Sequence, residues 1–176
     1  MVFRELEIAG AYLLAPERHE DERGFFARTF CRRELEQLGL EPNVAQCSVS
    51  FNHRRGTVRG MHYQVAPAEE VKLVRCTRGA IWDVILDLRP DSASYKRHAA
   101  VELDDESRAS LYVPAGVAHG FQTLADGAEV LYQMSEFYDP PAARGVRWND
   151  PAFQITWPLE ISVISERDLA FPDFEG

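Results

Sequence analysis

The sequence predicts a mainly β fold, a sandwich or a small barrel. Three observations carry that prediction. Six β-rich runs of four to ten residues fill positions 73–138, turn signals separate them, and one short stretch alone has a helical period. The helical stretch is 32–40, RRELEQLGL, where Leu35 and Leu38 stand three apart on one face and Gly39 ends the helix. The strands follow in order: LVRC (73–76), IWDVILDL (81–88), AAVEL (99–103), SLYV (110–113), GFQTL (120–124) and EVLYQMSEFY (129–138). Between them lie Arg78-Gly79, Arg89-Pro90-Asp91, Pro114-Ala115-Gly116 and Asp126-Gly127, all turn formers.

Strand parity says more about the last run. Ala128, Val130, Tyr132, Met134, Glu136 and Tyr138 share one face. Such a face is neither a plain core nor a plain solvent face. A barrel interior that holds a ligand accounts for it, and so does an amphipathic edge strand.

Composition bounds the function. The 176 residues suit a single domain, 1–176, with 45% apolar and 27% charged residues. No apolar run approaches the roughly 18 residues of a membrane span. The N-terminus, MVFRELEIAGAYLLAPERHE, carries Glu5 and Glu7 and lacks the apolar core of a signal peptide, so a cytoplasmic location is expected. Cys31, Cys47 and Cys76 are odd in number with no CxxC, which argues against a disulfide framework or a zinc site. A net charge of −9 disfavours nucleic acid and anionic membranes. A small anionic ligand would need a local cluster of Arg and Lys.

The densest polar motif is Arg59-Gly60-Met61-His62-Tyr63-Gln64, followed by Lys72. A lone His near a strand is more often structural than catalytic, but its polar company here points to a site. A second histidine closes Val113-Pro114-Ala115-Gly116-Val117-Ala118-His119, a PxGxxH pattern that resembles the second motif of cupin barrels. Metal-binding cupins carry HxH in the first motif. Here the second position is Gln64, a poor transition-metal ligand, which leaves only Glu69 or Glu70 with His119. The site is read as metal-free. Arg59 and His62 would point to opposite faces of a regular strand, so both reach one site only through an irregularity, and Gly60 is the natural place for a bulge.

DERGFF (21–26), RGMHYQ (59–64), KLVRC (72–76), DVILDLR (83–89), VPAGVAHGF (113–121), LYQ (131–133), FYDP (137–140) and WNDP (148–151) together resemble the dTDP-4-dehydrorhamnose 3,5-epimerases, in order and spacing. The resemblance implies a mainly β cupin jelly-roll barrel with a few short helices, a homodimer, no cofactor, and a nucleotide-diphosphate sugar as substrate. The implied reaction removes the proton beside a ketone and returns one to the opposite face. By resemblance His62 is the base, Asp168 in SERDL orients it, Tyr132 is the acid and Lys72 faces the enolate oxygen. The chemistry suits these groups. A histidine titrates near working pH, a carboxylate on its second nitrogen sets the tautomer, and a cation steadies the oxyanion. Also by resemblance, Arg23, Arg59 and Arg167 hold the diphosphate sugar, with Gln46, His119 and Tyr138 nearby. At 167 the family usually has Lys, so the charge is kept and the geometry is not.

Three positions depart from the family pattern. Arg28 stands where Glu is common, Ser48 ends a Gln-x-Asn motif, and Ala143 replaces a Glu before WND. The catalytic set is intact while the binding set, including Arg28 and Ser48, has changed. Arginine has only donors and cannot accept from the N3–H of thymine, whereas cytosine offers an acceptor there. A base other than thymine, cytosine first, is therefore expected to bind at least as well. Other readings are an epimerase acting at one centre or on another nucleotide, a non-catalytic sugar-nucleotide-binding cupin, and a metal-dependent cupin oxygenase. The second would be expected to have lost His62, Tyr132 or Asp168, and Gln64 argues against the third.

Overall fold

The computed structural model describes residues 1–174. In chain order the elements are β1 (Val2–Glu5), β2 (Tyr12–Ala15), β3 (Arg18–Asp21), β4 (Gly24–Ala27), α1 (Arg32–Gln37), β5 (Gln46–Asn52), β6 (Val58–Gln64), β7 (Lys72–Arg78), β8 (Ala80–Asp87), β9 (His98–Asp104), β10 (Ser110–Val113), β11 (Val117–Thr123), β12 (Ala128–Met134), β13 (Ala143–Gly145) and α2 (Glu166–Leu169). One sheet has the order β1-β2-β10-β7-β12-β5 and the other β13-β6-β11-β8-β9, while β3 and β4 form a separate two-stranded sheet. The pairings within the sheets are antiparallel.

The inner faces of the two sheets meet in one apolar cluster. Val74, Cys76, Leu111, Val113, Ala128 and Val130 come from the first sheet, and Ile81, Ile85, Leu103, Val117 and Phe121 from the second. Burying each of the Val, Leu, Ile and Phe side chains among them contributes roughly 1.5–3 kcal/mol. Two further clusters cover the outer faces. Leu35 of α1 packs on Leu14, Leu73 and Tyr112, and the C-terminal segment covers Met61, Val84, Leu86 and Ala118 through Phe153 and Phe174. The architecture is the expected cupin jelly roll with two short helices.

The predicted strands 73–138 stand, with shifted ends. The last run stops at Met134 rather than 138. There Ser135 turns out of the ladder, donating from its N–H to the Val71 carbonyl (3.0 Å) and accepting from the Val71 N–H at its hydroxyl (2.8 Å). On the face sharing Tyr132, Ala128 and Val130 are core and Met134 faces a cavity, so the barrel-interior reading holds. The helix ends at Gln37, three residues before the predicted limit. Gly39, at φ +70°, lets Leu40 N–H reach the Leu35 carbonyl and Gly39 N–H the Glu36 carbonyl, which closes the last turn. Leu35 is buried, but Leu38 lies in that closing turn and is 46% exposed.

One buried carboxylate holds the β8–β9 connection. Asp87 accepts from Arg89 (Nε 2.8 Å, Nη2 2.7 Å), Ser92 (2.5 Å) and Ser94 (2.6 Å). Burial alone pushes its carboxyl up, but the donors from Arg89, Ser92 and Ser94 outweigh that and hold it at about 2. The folded value lies below the unfolded one. Its stabilisation is therefore full above the ordinary carboxylate range and lost as the pH falls towards 2. At about 1.4 kcal/mol per unit this is worth about 2 kcal/mol. Asp87→Asn is expected to lower stability by about 2 kcal/mol at pH 7 and to flatten the loss between about pH 4 and 2. Denaturant titrations across that range check it, and an unchanged acid limb counts against the assignment.

Candidate active site

The site lies where the apolar filling of the barrel stops. Beyond Val130 and Phe121 the space between the sheets opens into a cavity of about 630 Å³. Gln46, Ser48, Lys72, Tyr132 and Met134 reach it from the first sheet, and Arg59, His62 and His119 from the second. The C-terminal segment closes one side with Ser165, Arg167 and Asp168.

Arg59 and His62 share this cavity because β6 is irregular, as expected. His119 pairs with His62 and Phe121 with Arg59, so three steps on β6 match two on β11. Gly60 sits at the bulge with φ +126°, and a Cβ there would lie 2.5 Å from the Gly120 Cα. Only glycine fits so close an approach.

His62 Nε2–H donates to Asp168 Oδ1 at 2.7 Å. The imidazole is 41% exposed to the cavity and the carboxylate 5%. Asp168 Oδ2 accepts from Gly60 N–H (3.3 Å), and Ser165 Oγ caps α2 by accepting from Asp168 N–H (3.1 Å). Burial would push the Asp168 carboxyl up; the His62 hydrogen bond and charge, the Gly60 N–H and Ser165 together hold it below its ordinary value. An ionised Asp168 fixes the tautomer of His62 and leaves Nδ1 free to accept a proton.

Across the cavity stands Tyr132, on β12. Burial raises its phenol first, the Asp83 carboxylate raises it further, and the Arg59 charge opposes both. It is held as the neutral acid. Its ring meets His119 edge-on at 5.7 Å between centroids. His119 Nε2 in turn donates to both oxygens of Asp83 (2.9 and 3.0 Å), and both residues are buried. Burial pushes Asp83 up, against the pull of His119 and Lys72. Lys72 donates to the His62 carbonyl (3.2 Å) and pairs with Glu70 Oε1 (3.0 Å). Arg59 Nε donates to Asn52 Oδ1 (2.7 Å), whose amide is fixed by the Ala128 carbonyl (3.2 Å). Among the described residues no acceptor engages the two terminal nitrogens of Arg59, which leaves them to an anion.

Gln46, Ser48, Arg59, His119, Tyr138 and Arg167 all line the cavity with the four candidate catalytic residues. Arg23 and Arg28 do not. Arg23 pairs with Asp21 in the β3–β4 hairpin, and Arg28 pairs with Glu34 (3.1 Å), because that hairpin joins neither large sheet. Within one chain, then, the residue singled out for base selection is not brought to the cavity. Gln64 is a brace: its amide donates to the Ala68 and Phe137 carbonyls and accepts from Asp139 N–H. Among the described residues, no three His, Cys, Asp or Glu side chains gather as a metal cage. Sequence reasoning missed Asn52, Asp83 and Arg144, the last of which reaches the cavity from β13. Asp83 had a signal, an acid on the same strand face as Ile81 and Ile85.

The family model described as dTDP-4-dehydrorhamnose 3,5-epimerase matches residues 5–176. A dTDP-4-dehydrorhamnose 3,5-epimerase of Sinorhizobium fredii is 39% identical over 173 residues, 98% of this chain and 89% of that one. A dTDP-4-dehydrorhamnose 3-epimerase of Streptomyces niveus is 38% identical over 169 residues, 96% of this chain and 81% of that one. The crystal structure of the Bacillus anthracis 3,5-epimerase with TDP and pyrophosphate bound superposes with a TM-score of 0.94 at 37% identity, covering 98% and 99% of the two chains. With the cavity, its His–Asp pair and its facing tyrosine, these matches place the chain in the dTDP-4-dehydrorhamnose 3,5-epimerase family of isomerases.

Proposed function

We propose that this protein epimerises a dTDP-linked 4-keto-6-deoxy hexose at C3, C5 or both, through an enolate. The observation that carries the reading is a base and an acid on opposite sheets, facing one cavity: His62 on β6 with Asp168 behind it, and Tyr132 on β12. His62 Nδ1 takes the proton beside the ketone and Asp168 stabilises the imidazolium. The electrons move onto the C4 oxygen, towards the Lys72 ammonium. Electrostatic stabilisation of that kind is worth roughly 3–4 kcal/mol. Tyr132 then gives its proton to the carbon from the other face, and solvent restores both groups. Arg59 and Arg167 hold the diphosphate, with Gln46, Ser48, His119 and Tyr138 shaping the rest. No cofactor or metal takes part.

A homodimer in the cytoplasm belongs to the same reading. Among the described residues the β3–β4 hairpin pairs with no other strand, and it exposes Phe25 and Phe26, the latter by 76%. Those aromatics suit a second copy, in whose cavity Arg23 and Arg28 would then serve. No helix among the described residues is long and apolar enough to cross a membrane.

Incubation with dTDP-4-dehydro-6-deoxy-glucose in deuterated water, followed by NMR, tests the reading. Deuterium at C3 and C5 with inversion is expected, at a rate that chelators leave unchanged. Exchange at one carbon alone makes this a single-centre enzyme, as in the Streptomyces niveus relative. Binding without exchange leaves a sugar-nucleotide-binding protein. Loss of activity on chelation, restored by added metal, overturns the metal-free mechanism. Titration with dTDP, CDP, UDP and GDP ranks the bases, and a preference for dTDP undiminished in Arg28→Ala removes Arg28 from base selection.

A further inference from the structure

Asp168 sits on α2, a helix of four residues. One turn of helix has no stability of its own, because nucleation costs more than a single turn returns. Yet the hydrogen bond from His62 needs the Asp168 carboxylate held to a few tenths of an ångström. Something else must fix α2, and the chain on either side shows what.

Upstream, the segment is stitched to the barrel by backbone bonds. Ser162 N–H donates to the Gly56 carbonyl (3.0 Å), and Val58 N–H donates to the Val163 carbonyl (2.9 Å). Downstream, the nearest anchor is an aromatic ring. Phe171, three residues after Asp168, lies against Gly145 of β13. A Cβ built on Gly145 would fall within 2.7 Å of three carbons of that ring, so the ring occupies the space a side chain would need. Gly145 is also the strand partner of His62. The same ring meets the His62 imidazole edge-on, 5.9 Å between centroids at 68°. Phe171 therefore touches both the backbone beside the base and the base itself. Beyond it, Phe174 packs on Phe153 (5.2 Å) and its N–H donates to Asp150 (2.6 Å).

We propose that Gly145 and Phe171 are positioning residues for the His62–Asp168 pair. The bare Gly145 backbone forms a seat, the Phe171 ring fills it, and the ring's depth sets where α2 ends and how Asp168 meets His62. A side chain at Gly145 lifts the ring and with it the carboxylate. Glycine is needed here for space and not for a left-handed backbone. The inference rests on the assignment of His62 as the base, and its test separates the two.

Two variants and two readouts decide it. Gly145→Ala adds the smallest side chain that displaces the ring, and Phe171→Leu removes the ring while leaving the seat. In each, kcat for deuterium exchange is expected to fall about 10–100-fold with KM changed less than about threefold, since neither residue reaches the substrate. The hydrogen-bonded His62 ring N–H is expected to give a downfield proton resonance in the wild type, and that resonance to disappear or broaden in both variants. That resonance needs no substrate, so it reports on the seat even if His62 proves not to be the base. Combining Gly145→Ala with Phe171→Leu, where a smaller side chain meets a filled seat, is expected to recover part of the lost kcat. A Gly145→Ala protein that keeps both the resonance and kcat within twofold overturns the proposal. So does loss of activity that merely tracks a lowered melting temperature with the resonance intact. A resonance lost with kcat unchanged keeps the seat and removes His62 from the base role.

Discussion

Replacing His62 by alanine is expected to lower the rate of proton exchange by about 10²–10⁴-fold, with the fold retained. The size follows from what is removed. Without the imidazole the other histidine of the cavity, His119, is held by Asp83 rather than Asp168, and water must take the proton unassisted. The fold should survive because His62 is 41% exposed to the cavity, so truncation leaves no sealed void. Asp168→Asn is expected to lose most activity as well, by a different route. It keeps the shape but removes the charge that stabilises the imidazolium and reads its tautomer. It also leaves the Gly60 N–H bonded to an amide rather than a carboxylate. Measuring exchange and inversion separately on both variants, with far-ultraviolet dichroism as the control for folding, checks the pair. Near-wild-type turnover in His62→Ala would make the base assignment wrong.

Much of the barrel was legible between 73 and 138, where hydrophobic and β-branched runs alternate with Gly and Pro turns. The first five strands were not. β3 is Arg-His-Glu-Asp, exposed throughout, and β5 mixes Gln, Ser and Asn with three apolar residues. β3 shows no period of a half-buried strand, while β5 does alternate, its polar Gln46, Ser48 and Ser50 between Cys47, Val49 and Phe51 that stay exposed rather than joining the core. Among the described residues β3 pairs with β4 and no other strand, and β5 faces a cavity where polar residues belong. α2 escaped because four residues are too few to show a helical period. The site was more legible than the fold around it. The parity conflict between Arg59 and His62 demanded a bulge, and Gly60 supplied it. What sequence could not show is support from distant residues: Asn52 behind Arg59, Asp83 behind His119, Phe171 against His62. Each lies far along the chain from the side chain it steadies or on another strand, and only the folded barrel joins them.

Tyr132→Phe is expected to separate exchange from epimerisation. The phenol stands on β12 facing the sheet that carries His62, and the two groups address opposite faces of a bound sugar ring in the proposed mechanism. Burial and the Asp83 carboxylate raise the phenol well above its ordinary value, so it stays protonated through the working range and has its proton to give. Removing the hydroxyl leaves His62 and Asp168 untouched. The base can still form the enolate, but the only proton then delivered quickly is the one on the imidazolium. It returns to the face it left. In deuterated water that proton exchanges with solvent, so deuterium should enter the sugar with the configuration unchanged. Net inversion should fall by about 10²-fold or more, while exchange falls far less. The substitution should be mild for stability, since the ring keeps its contacts with the Ala128 and Val130 core and with His119. NMR of the recovered sugar reads both quantities from one sample. Inversion that survives in Tyr132→Phe at the wild-type rate would take Tyr132 out of the mechanism. Exchange abolished together with inversion would mean that the phenol is needed to form the enolate, not only to quench it.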